Sequence, residues 1–173
     1  MSTLYEYYNT GDDDWAEFYG VIWIGQTFTP AIPHYIVSVK LLLYRAGNPG
    51  TITVGIRNTV LSGGVYLPTG NDLTSGTYDG NSLTTDTAGQ WVEITLTSYI
   101  LTVNSVYAIV ARATAATINN RVIRRDDASS PSYTGGMAVE SENSGSTWVS
   151  DSQVDMMFEE WGNPAFIPKV FII

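Results

Sequence analysis

The sequence predicts an all-β protein: an antiparallel β-sandwich of jelly-roll type with about nine short strands. Three observations support this expectation. Apolar and polar residues alternate with period two along much of the chain, no helical period is sustained, and turn residues recur at short, regular intervals.

The alternation is clearest in two stretches. In 51–57, Ile52, Val54 and Ile56 fall on one face, and Thr51, Thr53 and Arg57 on the other. In 91–97, Val92, Ile94 and Leu96 form the apolar face. This is how a strand reads when one face is buried and the other is wet. The same test places strands near 20–29, 35–46, 51–58, 73–78, 91–97, 105–114, 120–125, 136–141, 147–150 and 154–161. The runs Leu41-Leu42-Leu43-Tyr44 and Val106-Tyr107-Ala108-Ile109-Val110 are apolar on both faces and predict central strands. No window of about 11 residues keeps apolar positions at i, i+3, i+4 and i+7 without a Gly, Pro or β-branched interruption. Gly47-Asn48-Pro49-Gly50, Asp79-Gly80 and Asn119-Asn120 supply turns, and 62–70 reads as a longer glycine-rich loop.

A chain of 173 residues fits one domain, long enough to need no covalent staples. It divides into an N-terminal aromatic and acidic segment (1–19), the sandwich (20–161) and an apolar C-terminal tail (162–173). The absence of cysteine removes disulfides and thiolate metal sites from consideration. The formal net charge of −9 opposes contact with nucleic-acid phosphates or anionic lipid heads. Only 14% of residues are charged, so the polar surface is built largely from Thr, Ser, Asn and Gly. The first residues lack a basic then apolar leader pattern, and no apolar run is long enough for a spanning helix. The chain therefore reads as one that stays where it is made, leaves by lysis, or has lost a leader, and membrane insertion is not expected.

The catalytic groups are sparse. His34 is the sole histidine and reads as a surface or turn residue. There is no G-x-S-x-G elbow and no phosphate-binding glycine pattern. Glu159 and Glu160 are adjacent on a strand and point to opposite faces, so they do not flank one bond. No enzymatic role is expected.

Ser141-Glu142-Asn143-Ser144-Gly145-Ser146-Thr147-Trp148 resembles the Asp-box of sialidases and other β-rich extracellular proteins, with Asn143 in place of the Asp. That resemblance implies a hairpin turn closed by the Asn143 side chain, Gly145 at positive φ and Trp148 packed beneath, with no catalytic meaning. Gly25-Gln26-Thr27-Phe28-Thr29-Pro30, 39–45, 50–54, 107–110 and Asp155-Met156-Met157-Phe158 resemble jelly-roll modules of phage and prokaryotic surface proteins, similar to carbohydrate-binding modules. This resemblance runs over about 20–161 and implies an adhesive or structural role.

Several residues are candidates for contact. Trp91 lies opposite the apolar face of its strand and can stack on a sugar ring, unless a loop or the N-terminal segment covers it. Tyr133 lies in a loop and is the next candidate. Arg121, Arg124 and Arg125 hold three of the eight basic residues within five positions; Arg121 and Arg125 share a strand face and suit an acidic ligand or a neighbouring subunit, or the cluster pairs with Asp126, Asp127 or Glu142 nearby. Asp12 and Asp14, with Asp155, are the candidate ligands of a structural calcium, the one cofactor left open; the alternative is a solvated acidic loop. Phe166, Ile167, Val170, Phe171 and Ile172 in the tail are suited to assembly, or to folding back on the tail's own sandwich. The leading functional expectation is a non-catalytic virion or extracellular-surface assembly subunit, of capsid-decoration or tail type, with itself or other virion or surface proteins as partners. The rival is a carbohydrate-binding module that recognises glycans.

Overall fold

A computed structural model describes residues 2–165 and shows two antiparallel sheets packed face to face, with no α-helix among those residues. Phe166, Ile167, Val170, Phe171 and Ile172 lie outside the described residues. Thirteen strands are present among the described residues: β1 (Thr3–Tyr8), β2 (Asp14–Phe18), β3 (Trp23–Phe28), β4 (His34–Ala46), β5 (Thr51–Ser62), β6 (Val65–Asp79), β7 (Gln90–Leu101), β8 (Tyr107–Arg112), β9 (Arg121–Asp127), β10 (Ala138–Ser141), β11 (Val149–Asp151), β12 (Asp155–Met156) and β13 (Phe158–Pro164).

The larger sheet is organised on β4, whose 13 residues take β7 along one edge. The other edge is shared: β13 pairs with 34–41 and β9 with 43–46. Outside these lie β1 against β13 and β2 against β9. The smaller sheet runs β11-β10-β3-β8-β5-β6. As the doubly apolar runs require, β4 and β8 are both interior strands. Tyr107, Ile109 and Ala111 of β8 enter the main core, while Ala108 and Val110 lie on the other face with Val139 and Trp148. The main core between the sheets holds Phe18, Ile24, Phe28, Leu43, Ile94 and Phe158, all fully buried.

The expected count of about nine strands is too low, and one expected loop is instead part of two strands. The segment 1–19, read from sequence as lying apart from the sandwich, contributes β1 and β2; Asp14-Trp15-Ala16-Glu17-Phe18 buries Phe18 while Trp15 points outward. Residues 62–70 do not form a long loop. They run from the last residue of β5 through the turn at Gly63 and Gly64 into β6 and form the tip of the hairpin. Pro68 is tolerated there because β6 is an edge strand with one unpaired side.

The two long sides of the sandwich are joined differently. On one side β6 meets β7: the Thr74 hydroxyl donates to the Thr97 carbonyl, and Gly76 lies against the backbone of Thr95. A Cβ at Gly76 would overlap the Thr95 carbonyl oxygen, so the sheets approach closely only because this residue has no side chain. On the other side the sheets are joined by polar groups. Gln26 Nε2 donates to Asp155 Oδ1 (3.1 Å), Gln26 Oε1 accepts from Met156 N (3.0 Å), and Arg124 Nη1 reaches the Gly25 carbonyl (3.4 Å).

Gly76→Ala is expected to cost about 1–3 kcal/mol, the usual price of overpacking. Urea unfolding checks this, and a midpoint equal to that of the wild type would show that the β6–β7 contact is not a constraint.

Candidate functional site

The outer face of the larger sheet presents a row of side chains across four strands. Trp91 on β7 pairs with Leu42 on β4, and Trp15 on β2 pairs with Arg125 on β9. Leu42 and Arg125 are neighbours: a Cβ on Gly89 would lie 3.4 Å from Leu42 Cγ and 3.3 Å from Arg125 Cγ. The row thus reads Trp91, Leu42, Arg125, Trp15. With strands about 4.8 Å apart, the two indoles are separated by roughly 14 Å. Trp91 is 38% exposed and Trp15 52% exposed, so the first nineteen residues do not cover Trp91 but add a second ring to its face.

The charges on this face are paired locally. Arg125 Nε lies 3.3 Å from Asp12 Oδ2 and its Nη2 donates to the Asp12 carbonyl (3.1 Å). Arg121 pairs with Glu17, and its Nη1 donates to the Ile118 carbonyl (2.6 Å). Lys40 lies 3.8 Å from Glu159 and 4.5 Å from the centre of the Trp161 ring. Arg121 and Arg125 do share the outer face, but their partners are Asp12 and Glu17 rather than Asp126, Asp127 or Glu142. The strand alternation that groups them could not reveal β2 as the neighbour.

Two other candidates lie elsewhere. The Tyr133 ring packs edge-on against Phe158 (5.2 Å between centres, 83°), and its hydroxyl donates to Glu6 Oε2 (3.2 Å). Burial, with Glu6 alongside, raises the Tyr133 phenol well above its ordinary range. It is a packing residue, not part of the Trp15–Trp91 face. Asp12, Asp14 and Asp155 do not converge either. Asp12 holds Arg125, and Asp155 accepts from Gln26 and from Tyr133 N (2.8 Å) between the sheets. Among the described residues no three His, Cys, Asp or Glu side chains are grouped to hold an ion.

The hairpin between β10 and β11 is closed by its own side chains. Ser141 Oγ accepts from Asn143 N (3.3 Å) and Gly145 N (2.9 Å), and Asn143 Oδ1 accepts from Thr147 N (2.8 Å). Gly145 has φ +78°, and the buried Trp148 donates from Nε1 to the Gly145 carbonyl (3.1 Å). Between this hairpin and Arg124 lies a recess of about 420 Å³ whose walls include Glu140, Glu142 and Asp151.

Sequence reasoning missed the polar interior. His34 is not a surface or turn residue: it is fully buried as the first residue of β4. Its Nε2 lies 2.8 Å from Glu160 Oε2, its Nδ1 lies 2.8 Å from the Ile32 carbonyl, and the Tyr5 ring stacks on it at 3.7 Å and 3°. Both Glu160 and Tyr5 come from strands that sequence spacing could not place beside His34. Burial alone would lower His34, but the Glu160 carboxylate outweighs it and leaves the ring raised. Burial likewise raises Glu160 against the pull of His34, and raises Asp155 against its hydrogen bonds. Asp126 lies 3.0 Å from Arg124 Nε, yet burial lifts it from 3.8 to about 6. A signal for the Arg124–Asp126 pair was present: both occupy inward positions of β9, alternating with Ile123 and Arg125.

The chain matches no family model and no curated protein.

These raised groups give stability a definite pH dependence. Between its unfolded value near 3.8 and its folded value of about 6, Asp126 holds a proton that the unfolded chain releases. Stability from this group is full below the window and lost as pH rises through it. Asp155 and Glu160 act in the same direction, while Asp72, held below its usual range by Arg112 and Arg57 despite burial, acts in the opposite one. Asp126→Asn is expected to remove up to about 3 kcal/mol of the decline between pH 4 and 6. Urea melts at closely spaced pH values check this; a decline as steep as that of the wild type would refute it.

Proposed function

We propose that this chain is a non-catalytic adhesive module of a virion or extracellular surface, and that it holds glycans on the outer face of its larger sheet. The observation that supports this most is the Trp91-Leu42-Arg125-Trp15 row, with two exposed indoles on one rigid face. An indole face and the C–H face of a pyranose ring fit one another, and a sheet holds such rings without an ordering cost. Because Arg125, Arg121 and Lys40 already have carboxylate partners, the row suits a neutral, extended glycan better than an acidic one. A non-catalytic role fits the placement of Glu159 and Glu160, one outward toward Lys40 and one inward on His34. The assembly reading has support of its own in the apolar end of the sandwich, whose loops carry no charged side chain among the described residues.

Trp15→Ala and Trp91→Ala are each expected to weaken retention on a neutral polysaccharide by roughly five- to tenfold, the worth of one stacked ring. Both side chains are exposed, so the melting temperature should barely change. Affinity electrophoresis across soluble polysaccharides measures this directly. Retention that is unaffected by both substitutions, or no retention of the wild type on any polysaccharide, would remove the glycan reading.

A further inference from the structure

Thirteen large apolar side chains are exposed among the described residues, and seven belong to one end of the sandwich, including Ile32, Val60, Leu61, Tyr66 and Val103. This end is formed by the β3–β4 and β7–β8 loops and the tip of the β5–β6 hairpin. Asn104 N donates to the Pro30 carbonyl (3.0 Å) and Thr59 Oγ1 to the Val106 carbonyl (2.7 Å), which ties the three together. Val60 and Leu61 are neighbours that point to opposite faces, and both are at least half exposed, so the hairpin tip is uncovered on both sides. A recess of about 250 Å³ lies beside it, between 64–66 and 134–137.

Among the described residues, the segments that form this end carry no charged side chain. No Asp, Glu, Lys or Arg occurs in 29–35, 58–71 or 97–107, in a chain whose net charge is −9. Two carboxylates adjoin these segments and both are engaged: Glu6 holds Ala31 N (3.1 Å) and the Tyr133 hydroxyl, and Glu160, fully buried, holds the fully buried His34 (2.8 Å). Two copies of so acidic a chain repel over most of their surface, and this end is where they meet without opposing charges.

We propose that this end is a homotypic docking surface whose occupant is the same end of a second copy, related by a two-fold axis. This does not depend on the glycan reading. Ile32, Val60, Leu61, Tyr66 and Val103 are each 38–59% exposed, and monomers seldom leave so many apolar side chains uncovered together. A patch of so few side chains is smaller than the roughly 800 Å² per partner of a stable complex, so the association it supports is weak and concentration-dependent.

Sedimentation velocity of the full chain, over a range of concentrations at low and high salt, tests the proposal. The mass should rise from 18.9 kDa toward twice that value with concentration, and more readily at high salt, which screens repulsion and favours apolar contact. Ile32→Asp and Leu61→Asp each set two carboxylates near the axis and should weaken association by about a hundredfold. Tyr7→Asp, on the outer sheet face, should leave association unchanged. Thermal melts of the three variants should match that of the wild type, since all three positions are exposed. A wild type that stays monomeric at roughly millimolar concentration in high salt would overturn the proposal. So would Ile32→Asp and Leu61→Asp variants that associate like the wild type, or a monomer that instead binds neutral phosphatidylcholine vesicles through these residues. Loss of polysaccharide retention in the Trp15 and Trp91 variants leaves this result untouched, so the two readings fail separately.

Discussion

The larger sheet depends on the backbone pairing of β4, which takes one strand along its first edge and two, end to end, along its second. The two meet at Leu42, where Met157 N donates to the Arg125 carbonyl (3.1 Å) and the chain passes from β12 into β13. This junction lets β9 bring β2 into the sheet and lets β13 bring β1. Both N-terminal strands, and with them Trp15 and the Tyr5 ring over His34, are consequences of it. Without the shared edge, Trp91 would stand alone on its face.

Charge is used sparingly, and its placement divides the surface. Most arginines are committed to carboxylates, some on the sheet faces and some inside. Asp72 is an example of the first kind, partly buried on the outer face of the smaller sheet: it takes Arg57 Nε at 2.7 Å and Arg112 Nη2 at 2.6 Å, and both guanidinium groups lie over the Trp23 ring. Such clusters fix side chains in place without leaving a free charge for a ligand to meet. The outer face of the larger sheet is thereby left as aromatic rings among paired charges, and one end of the sandwich as apolar loops without a charged side chain among the described residues.

How much of this could be read from sequence follows from where the information is local. Alternation in 51–57 and 91–97 identifies strands and their buried faces because it needs only period-two geometry. The double-sided runs in β4 and β8 likewise identify interior strands. Ser141 to Trp148 closes on itself, so its turn is readable from eight residues. Pairing partners are not local. Nothing near His34 announces Glu160, 126 positions away, or the Tyr5 ring that covers it. Arg125 finds Asp12 across 113 positions because β2 lies beside β9, a relation that no spacing encodes. Tyr133 reads as a contact residue because its loop is polar and glycine-rich, yet the loop folds inward and the ring fills space against Phe158.

The pairing of β1 with β13 also sets how the domain would bear a load. Thr3 lies opposite Gly162, so the outer ends of the two strands are adjacent and antiparallel. Tension applied at these ends in opposite directions loads the interstrand hydrogen bonds one at a time, as in a zipper, rather than all together in shear. The first firm obstacle to peeling is the Tyr5 ring stacked on buried His34, followed by Glu6, which holds Ala31 N and the Tyr133 hydroxyl. The polar cluster that sequence reasoning missed therefore acts as a mechanical stop for the outermost strand, placed two residues in from where the pull begins.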